Sequence, residues 1–446
     1  MKDVDSAVKP INENGRTSQR PSKGHQSVQS SAADMFPPAD VCARYGVYPK
    51  RYDLDVGRLH RYRTSRLHAE MDKRGCDALL LFDTVNIRYA TGARNMQIWT
   101  MHQPARYALV LRSGKTVLFE IGGRSHHAEG LPLIDEVRVA RPWFYYYAGS
   151  QASNHVKEFA AEIADLIGLS KASAYKPRLY VDRCDRMGTI SLEDAGLIVS
   201  DQAQELMEQA RSIKSEDEIA ATRIAIDVCE AGIRRIKAEL RPGITELSLW
   251  SYFHQTNIEL GGEYIETRLL TSGPRTNPFH QEASQKQIQK GEMVTFDCDL
   301  IGPLGYGADL SRAFVCAAKP TAEQRNLYQR AHDLIMANTQ LLQVGRSFAE
   351  IIDKASVLPQ AYRQWHRVAH GNGMSIGEFP AIGRRPGYPQ GSIHEGRIQE
   401  GMVLCVGTFA GRKDGGEGVK LEHQTVIRSD GPELLSSSLF DSEFCN

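Results

Sequence analysis

The sequence predicts an α/β protein of two domains behind a polar tail. Three observations predict it. Short apolar runs such as ALLLF (residues 78–82) and MVTFDCDL (residues 293–300) alternate with stretches of helical periodicity. Ser215 followed by Glu218 is a capping-box pattern, and it opens a second series of helices and strands just after Gln209. The length, 446 residues, exceeds what one hydrophobic core usually organises, and suggests two to three domains of about 150 residues.

The elements follow in order. Residues 1–35 are rich in Ser, Gln, Asn, Lys and Gly and cannot bury enough apolar surface to offset ordering entropy, so a disordered tail is expected. Residues 36–208 form the first domain. It should hold a charged helix over 59–74 and a buried strand at ALLLF. A hairpin joins 108–111 to 115–120 through Ser113-Gly114, and a helix over 154–167 precedes a strand over 178–181. The run Trp143, Phe144, Tyr145, Tyr146, Tyr147 reads as a strand with alternating core and surface rings. Residues 209–446 form the second domain. Its capped helix stops at Arg241-Pro242-Gly243, and strands follow at MVTFDCDL, SRAFVC, GMVLCVG and QTVI.

Charge narrows the function classes. Lys+Arg and Asp+Glu both number 54, so no basic excess is left to displace counterions from nucleic acid or to hold a membrane surface. With 41% hydrophobic and 24% charged residues, the bulk is ordinary globular protein. Eight cysteines form no C-x-x-C pair, which fits reduced thiols in a cytoplasmic enzyme. No secretory h-region opens the chain, and no run of about 18 apolar residues suits a membrane span.

The chemistry gathers in the second domain. Asp297 and Asp299 stand two apart in VTFDCDL, and a strand would place both on one face. Asp309 follows in DLSR, His370 in HGNG and Glu422 in KLE. Carboxylates with one histidine suit divalent Fe, Zn, Mn or Co, as one or two ions. Taken singly, each residue has a structural explanation; their order and spacing together point to a metal centre.

That order resembles the pita-bread fold of aminopeptidase P, prolidase and creatinase. RSIKSEDEI resembles the helix that opens the catalytic domain there, and SGPRTNP and GMVLCV occupy family positions. NIRYATGARNMQIW, GGEYIETRLLTSGPRTNP and FDCDLIGPLGYGADLSR are similar to DddP-type dimethylsulfoniopropionate (DMSP) lyases, which also carry D-x-D. The resemblance implies a creatinase-like N-terminal domain before a metallopeptidase-like catalytic domain. It implies metal ligation by Asp297, Asp299, Asp309, His370 and Glu422, and a homodimer in which Trp99 helps line a neighbour's pocket.

Two positions depart from the pattern, and a third agrees with the peptidases. Gly407 stands where the family has a further Glu ligand, with Asp299, Asp414 or Glu417 as candidate substitutes. Gly377 stands where the peptidases carry a second histidine and the lyases a catalytic Asp; Glu378 is the nearest replacement. His280 lies eight residues after Ser272, where the peptidases often carry a proton-transfer histidine.

Two chemistries remain open. In the first, a base takes the proton α to the DMSP carboxylate and dimethyl sulfide leaves, with Tyr89, Trp99 and Trp143 as aromatic candidates to hold the sulfonium. In the second, an Xaa-Pro amide is hydrolysed, with Glu378 moving the proton and His280 steadying the oxyanion. A scaffold that has lost catalysis is the third reading, given the glycines at 377 and 407. Either enzyme would take a small-molecule substrate and no nucleic acid or membrane partner.

Overall fold

A computed structural model describes residues 36–169, 174–363, 365–384, 393–437 and 440–444. The tail expected over residues 1–35 lies outside the described residues. Two compact units divide the described chain. One comprises residues 67–207; the other comprises residues 36–66 with 208 onwards. Residues 36–66 therefore pack with the second unit, whereas the sequence reading grouped them with the first.

The first unit is built on a six-stranded sheet. Its strands are β1 (Ala78–Leu81), β2 (Tyr107–Leu111), β3 (Thr116–Glu120), β4 (Glu136–Val139), β5 (Arg178–Val181) and β6 (Ile198–Ser200). They lie in the order β4-β3-β2-β1-β5-β6, with β2 and β3 forming the expected antiparallel hairpin. β1 is buried at every position, as its unbroken apolar run requires. Helix Ala152–Ile167 buries Val156, Phe159, Ala160, Ile163 and Ala164, the one-sided stripe of an amphipathic helix. The aromatic run departs from expectation. Tyr145–Ala148 is a short helix with Tyr145 and Tyr146 exposed, so these rings do not alternate as in a strand.

In the second unit the capping box forms as the sequence implies. The Ser215 side chain accepts from the Glu218 amide, the Glu218 carboxylate accepts from the Ser215 amide, and helix Glu216–Glu239 follows. Its strands are β7 (Tyr264–Ile265), β8 (Leu270–Ser272), β9 (Met293–Asp297), β10 (Leu300–Ile301), β11 (Gly307–Ala308), β12 (Ser311–Val315), β13 (Arg367–Asn372), β14 (Ile376–Gly383), β15 (Val403–Gly411), β16 (Gly418–Arg428) and β17 (Gly431–Leu434). β7, β10 and β11 form a small sheet. The large one runs β14-β13-β15-β16-β12-β9-β8, with β17 also paired to β16. Helix Ala322–Thr339 packs on β15 and β16. The apolar core there includes Leu327, Tyr328, Ile335, Leu404, Val406 and Leu421.

MVTFDCDL is not one continuous strand. β9 ends at Asp297, the chain turns through a left-handed Asp299 with φ of 39°, and β10 resumes at Leu300. Aspartate tolerates that conformation better than most residues because its short side chain bonds locally. Strand periodicity therefore does not set the direction of Asp299.

Candidate metal centre

The register of the large sheet assembles the cluster. Gly407 faces Glu422 across β15 and β16, Glu422 faces Ser311 on β12, and Ser311 faces Asp297 on β9. Directly opposed residues in antiparallel pairs project to the same side, so one row crosses four strands. Cys405 faces His370 on β13 and lies two residues before Gly407. Asp309 stands in the link between β11 and β12.

The five residues expected as ligands come together. Asp297, Asp299 and Asp309 each bring a carboxylate oxygen within 4.8 Å of the others; so do Asp309, His370 and Cys405 with one ligand atom each. His370 Nε2 lies 3.3 Å from Asp309 Oδ2 and 3.5 Å from Glu422 Oε1. Asp299 joins by its turn and not by strand alternation, and Thr267 Oγ1 donates to its Oδ2 at 2.5 Å. The glycines of HGNG make room. A Cβ at Gly371 would sit 2.3 Å from the Phe379 carbonyl oxygen, and one at Gly373 would sit 2.4 Å from Glu378 Oε2.

A lysine sits among the carboxylates. Lys420, two residues before Glu422 on the same face of β16, is 1% exposed. Its Nζ donates to Asp297 Oδ2 at 3.1 Å, to Ser311 Oγ at 2.9 Å and to Glu422 Oε2. The Ser311 hydroxyl in turn donates to Asp297 Oδ1 at 2.6 Å. The Trp365 and Phe279 rings lie 5.2 and 5.4 Å from the same ammonium.

Negative charge is crowded here. Burial, with Asp297 and Asp309 nearby, pushes the Asp299 carboxyl up to about 9. Burial and Glu422 push Asp309 up to about 7. Burial opposes protonation of His370, yet the Asp309 and Glu422 carboxylates outweigh it and push the imidazole up to about 10. Protons are retained where positive charge is short. Asp309 Oδ1 is buried and has no hydrogen-bond partner among the described residues. An orphaned carboxylate oxygen beside an imidazole nitrogen and further carboxylates is a donor set that suits a divalent metal ion.

Other expected residues fare differently. Glu378 is buried and fully engaged: Arg211 Nε donates to Oε1 at 2.9 Å, Lys214 Nζ to Oε2 at 3.2 Å, and the Met374 amide to Oε1 at 3.1 Å. Burial would raise its pKa, but Lys214 and Arg211 hold it below the ordinary value. Glu378, expected from the sequence as a proton shuttle, is thus held between two buried cations. Glu417 accepts from the Met293 amide and Gln324, and Asp414 pairs with Arg412 in solvent, so neither substitutes at Gly407. His280 is exposed and stacks on Trp365 with centroids 5.7 Å apart; burial of its ring and Lys420 lower its pKa.

Within the first unit, Trp143 is a core residue. It packs against Phe82 and Phe159, and its Nε1 donates to Asp185, which corrects its assignment to substrate. Tyr89 is buried in helix Thr84–Thr91. Trp99 is half-buried and meets Tyr147 edge-on at 6.4 Å.

Sequence reasoning missed Lys420, Ser311, Cys405, Phe279, Trp365 and Glu266. Period-two spacing from Glu422 and Gly407 would have found Lys420 and Cys405. Nothing local marks Trp365, which chain topology brings in. Glu266 donates its amide to the Asp299 carbonyl at 2.9 Å. It keeps contact with solvent, yet burial of its carboxyl pushes it up to about 7; the Ile376 amide opposes the rise, while Asp309 and Glu378 add to it.

The chain is similar to known proteins over most of its length. The model of metallopeptidase family M24 matches residues 194–429, and that of the creatinase/prolidase N-terminal domain matches residues 63–223. The dimethylsulfoniopropionate lyase DddP of Roseovarius nubinhibens is 34% identical over 398 residues, 87% of each chain. DddP of Roseobacter denitrificans is 34% identical over 400 residues, 88% of each. Among solved structures, an Xaa-Pro dipeptidase from Bacillus anthracis superposes with a TM-score of 0.68 at 18% identity, covering 86% of this chain and 99% of its own. An X-Pro aminopeptidase from Thermotoga maritima gives 0.65 at 19% identity, covering 84% and 99%. The chain therefore belongs to metallopeptidase family M24, with a creatinase/prolidase N-terminal domain ahead of the pita-bread fold.

Proposed function

We propose that the protein is a metal-dependent carbon–sulfur lyase that cleaves DMSP, or a closely similar small zwitterion, to dimethyl sulfide and acrylate. The observation that carries this reading is the 34% identity to two DddP lyases over most of both chains. Asp297, Asp299, Asp309, His370 and Glu422 form the cluster we assign to the metal centre. A bound divalent cation supplies Lewis-acid stabilisation for charge that develops on a substrate carboxylate.

Elimination needs an acceptor for the proton α to the carboxylate. Glu378 is committed to Arg211 and Lys214. We assign the acceptor to Glu266, which keeps contact with solvent and whose amide donates to the Asp299 carbonyl at 2.9 Å, while burial pushes its carboxyl up to about 7. As the proton passes to Glu266, the C–S bond breaks and its electron pair leaves with dimethyl sulfide.

Hydrolysis of Xaa-Pro peptides is the second reading, favoured by the family itself and by His280 against Trp365. The separating experiment supplies the metal-loaded protein with DMSP and, in parallel, with Xaa-Pro dipeptides. Dimethyl sulfide in the headspace above a chelated control supports the lyase. Release of free amino acid without dimethyl sulfide replaces it by the hydrolase. Silence in both assays leaves a binding scaffold. We further propose a homodimer in the cytoplasm. Sedimentation at the mass of one chain would remove the dimer.

A further inference from the structure

The two sides of the carboxylate cluster are unequal. On one side both oxygens of Asp297 have protein donors, Ser311 Oγ at Oδ1 and Lys420 Nζ at Oδ2. Glu422 Oε2 is also taken by Lys420. On the other side Asp309 Oδ1 has no partner among the described residues, and Glu422 Oε1 and Cys405 Sγ lie around His370. The row across the sheet explains the asymmetry. Gly407 contributes no side chain opposite Glu422, and the ammonium two residues before Glu422 fills the Asp297 side.

We propose that Lys420 is a built-in cation standing where a second metal ion would otherwise bind, so that the centre takes one ion, on the Asp309–His370 side. This rests on the reading of the cluster as a metal centre. A lysine ammonium is a compact point charge with three donors, and here it meets three acceptors on the row. It balances the Asp297 and Glu422 carboxylates as an ion between them would. It cannot exchange with solvent, and it denies a second ion the same oxygens. The Trp365 and Phe279 faces add to its hold from the ring side.

The test counts ions on the full-length chain. Metal-free protein is titrated with manganese(II) by calorimetry and by electron paramagnetic resonance. Wild type should bind one equivalent with the spectrum of an isolated ion. Lys420→Met, similar in length but uncharged, should bind two with a spin-coupled spectrum; Lys420→Arg should stay at one. Two equivalents in wild type overturn the proposal, as does one equivalent in a folded Lys420→Met. Where Lys420→Met fails to fold, Asp297→Asn decides. It should keep one equivalent with affinity weakened by about tenfold, as for an outer-sphere residue, whereas Asp309→Asn should lose binding. Loss of binding in Asp297→Asn overturns the assignment. Zero equivalents in wild type, repeated with cobalt(II), zinc(II) and iron(II), instead remove the metal centre itself, and the proposal with it.

Discussion

Arg211 Nε donates to Glu378 Oε1 at 2.9 Å, with both side chains buried and Lys214 on the other oxygen. A carboxylate placed between two buried cations serves the fold, because removing it takes from Lys214 and Arg211 the negative charge they share away from water. Glu378→Ala should therefore lower stability by about 3 kcal/mol or more, as for other broken buried pairs. Chemical denaturation checks the size.

The pH dependence of that pair has a definite sign. The Glu378 carboxyl is held below its ordinary value in the folded state. Its contribution is complete above the unfolded carboxylate value of about 4.3 and is lost as pH falls through the folded value. The wild type should lose stability on acidification below that point, and Glu378→Gln should lose less over the same range. Parallel acid unfolding curves for the two proteins would contradict this.

Much of the candidate cluster was legible because strand register is a periodic property. Asp297, His370 and Glu422 sit on regular strands, and the sheet brings them to one side. Asp299 reached the cluster by a left-handed turn that alternation does not foresee. Lys420 went unread although the same period points to it, since a lysine among candidate ligands reads as a surface charge until burial is known. Trp143 and Glu378 show the converse. Chemistry alone nominated them, and only their partners Asp185, Arg211 and Lys214 reveal that they are already satisfied.

Restoring the missing ligand should not restore a conventional site. A Cβ at Gly407 would lie 2.5 Å from Glu422 Oε1, and Glu422 is anchored through Oε2 to Lys420. Gly407→Glu should displace Glu422 from His370 and weaken metal binding and turnover together. A gain in either quantity would show instead that Gly407 marks a vacated ligand position.

Glu266 decides which chain group accepts the proton. A Cβ added at Gly377 meets nothing within 4 Å, and its φ of 81° is left-handed, a conformation that aspartate tolerates better than most residues. Glu266, whose carboxyl is pushed up by burial and responds to the Ile376 amide and to Asp309, is the carboxylate we assign to the proton. Glu266→Gln keeps the size and removes the base, and should lower kcat for elimination by about a hundredfold while metal content and KM hold. Gly377→Asp in the Glu266→Gln background should recover part of the rate, because it returns a carboxylate to the vacant side. Should Glu266→Gln turn over at the wild-type rate, the proton goes elsewhere, and the same Gly377→Asp variant would then show no rescue.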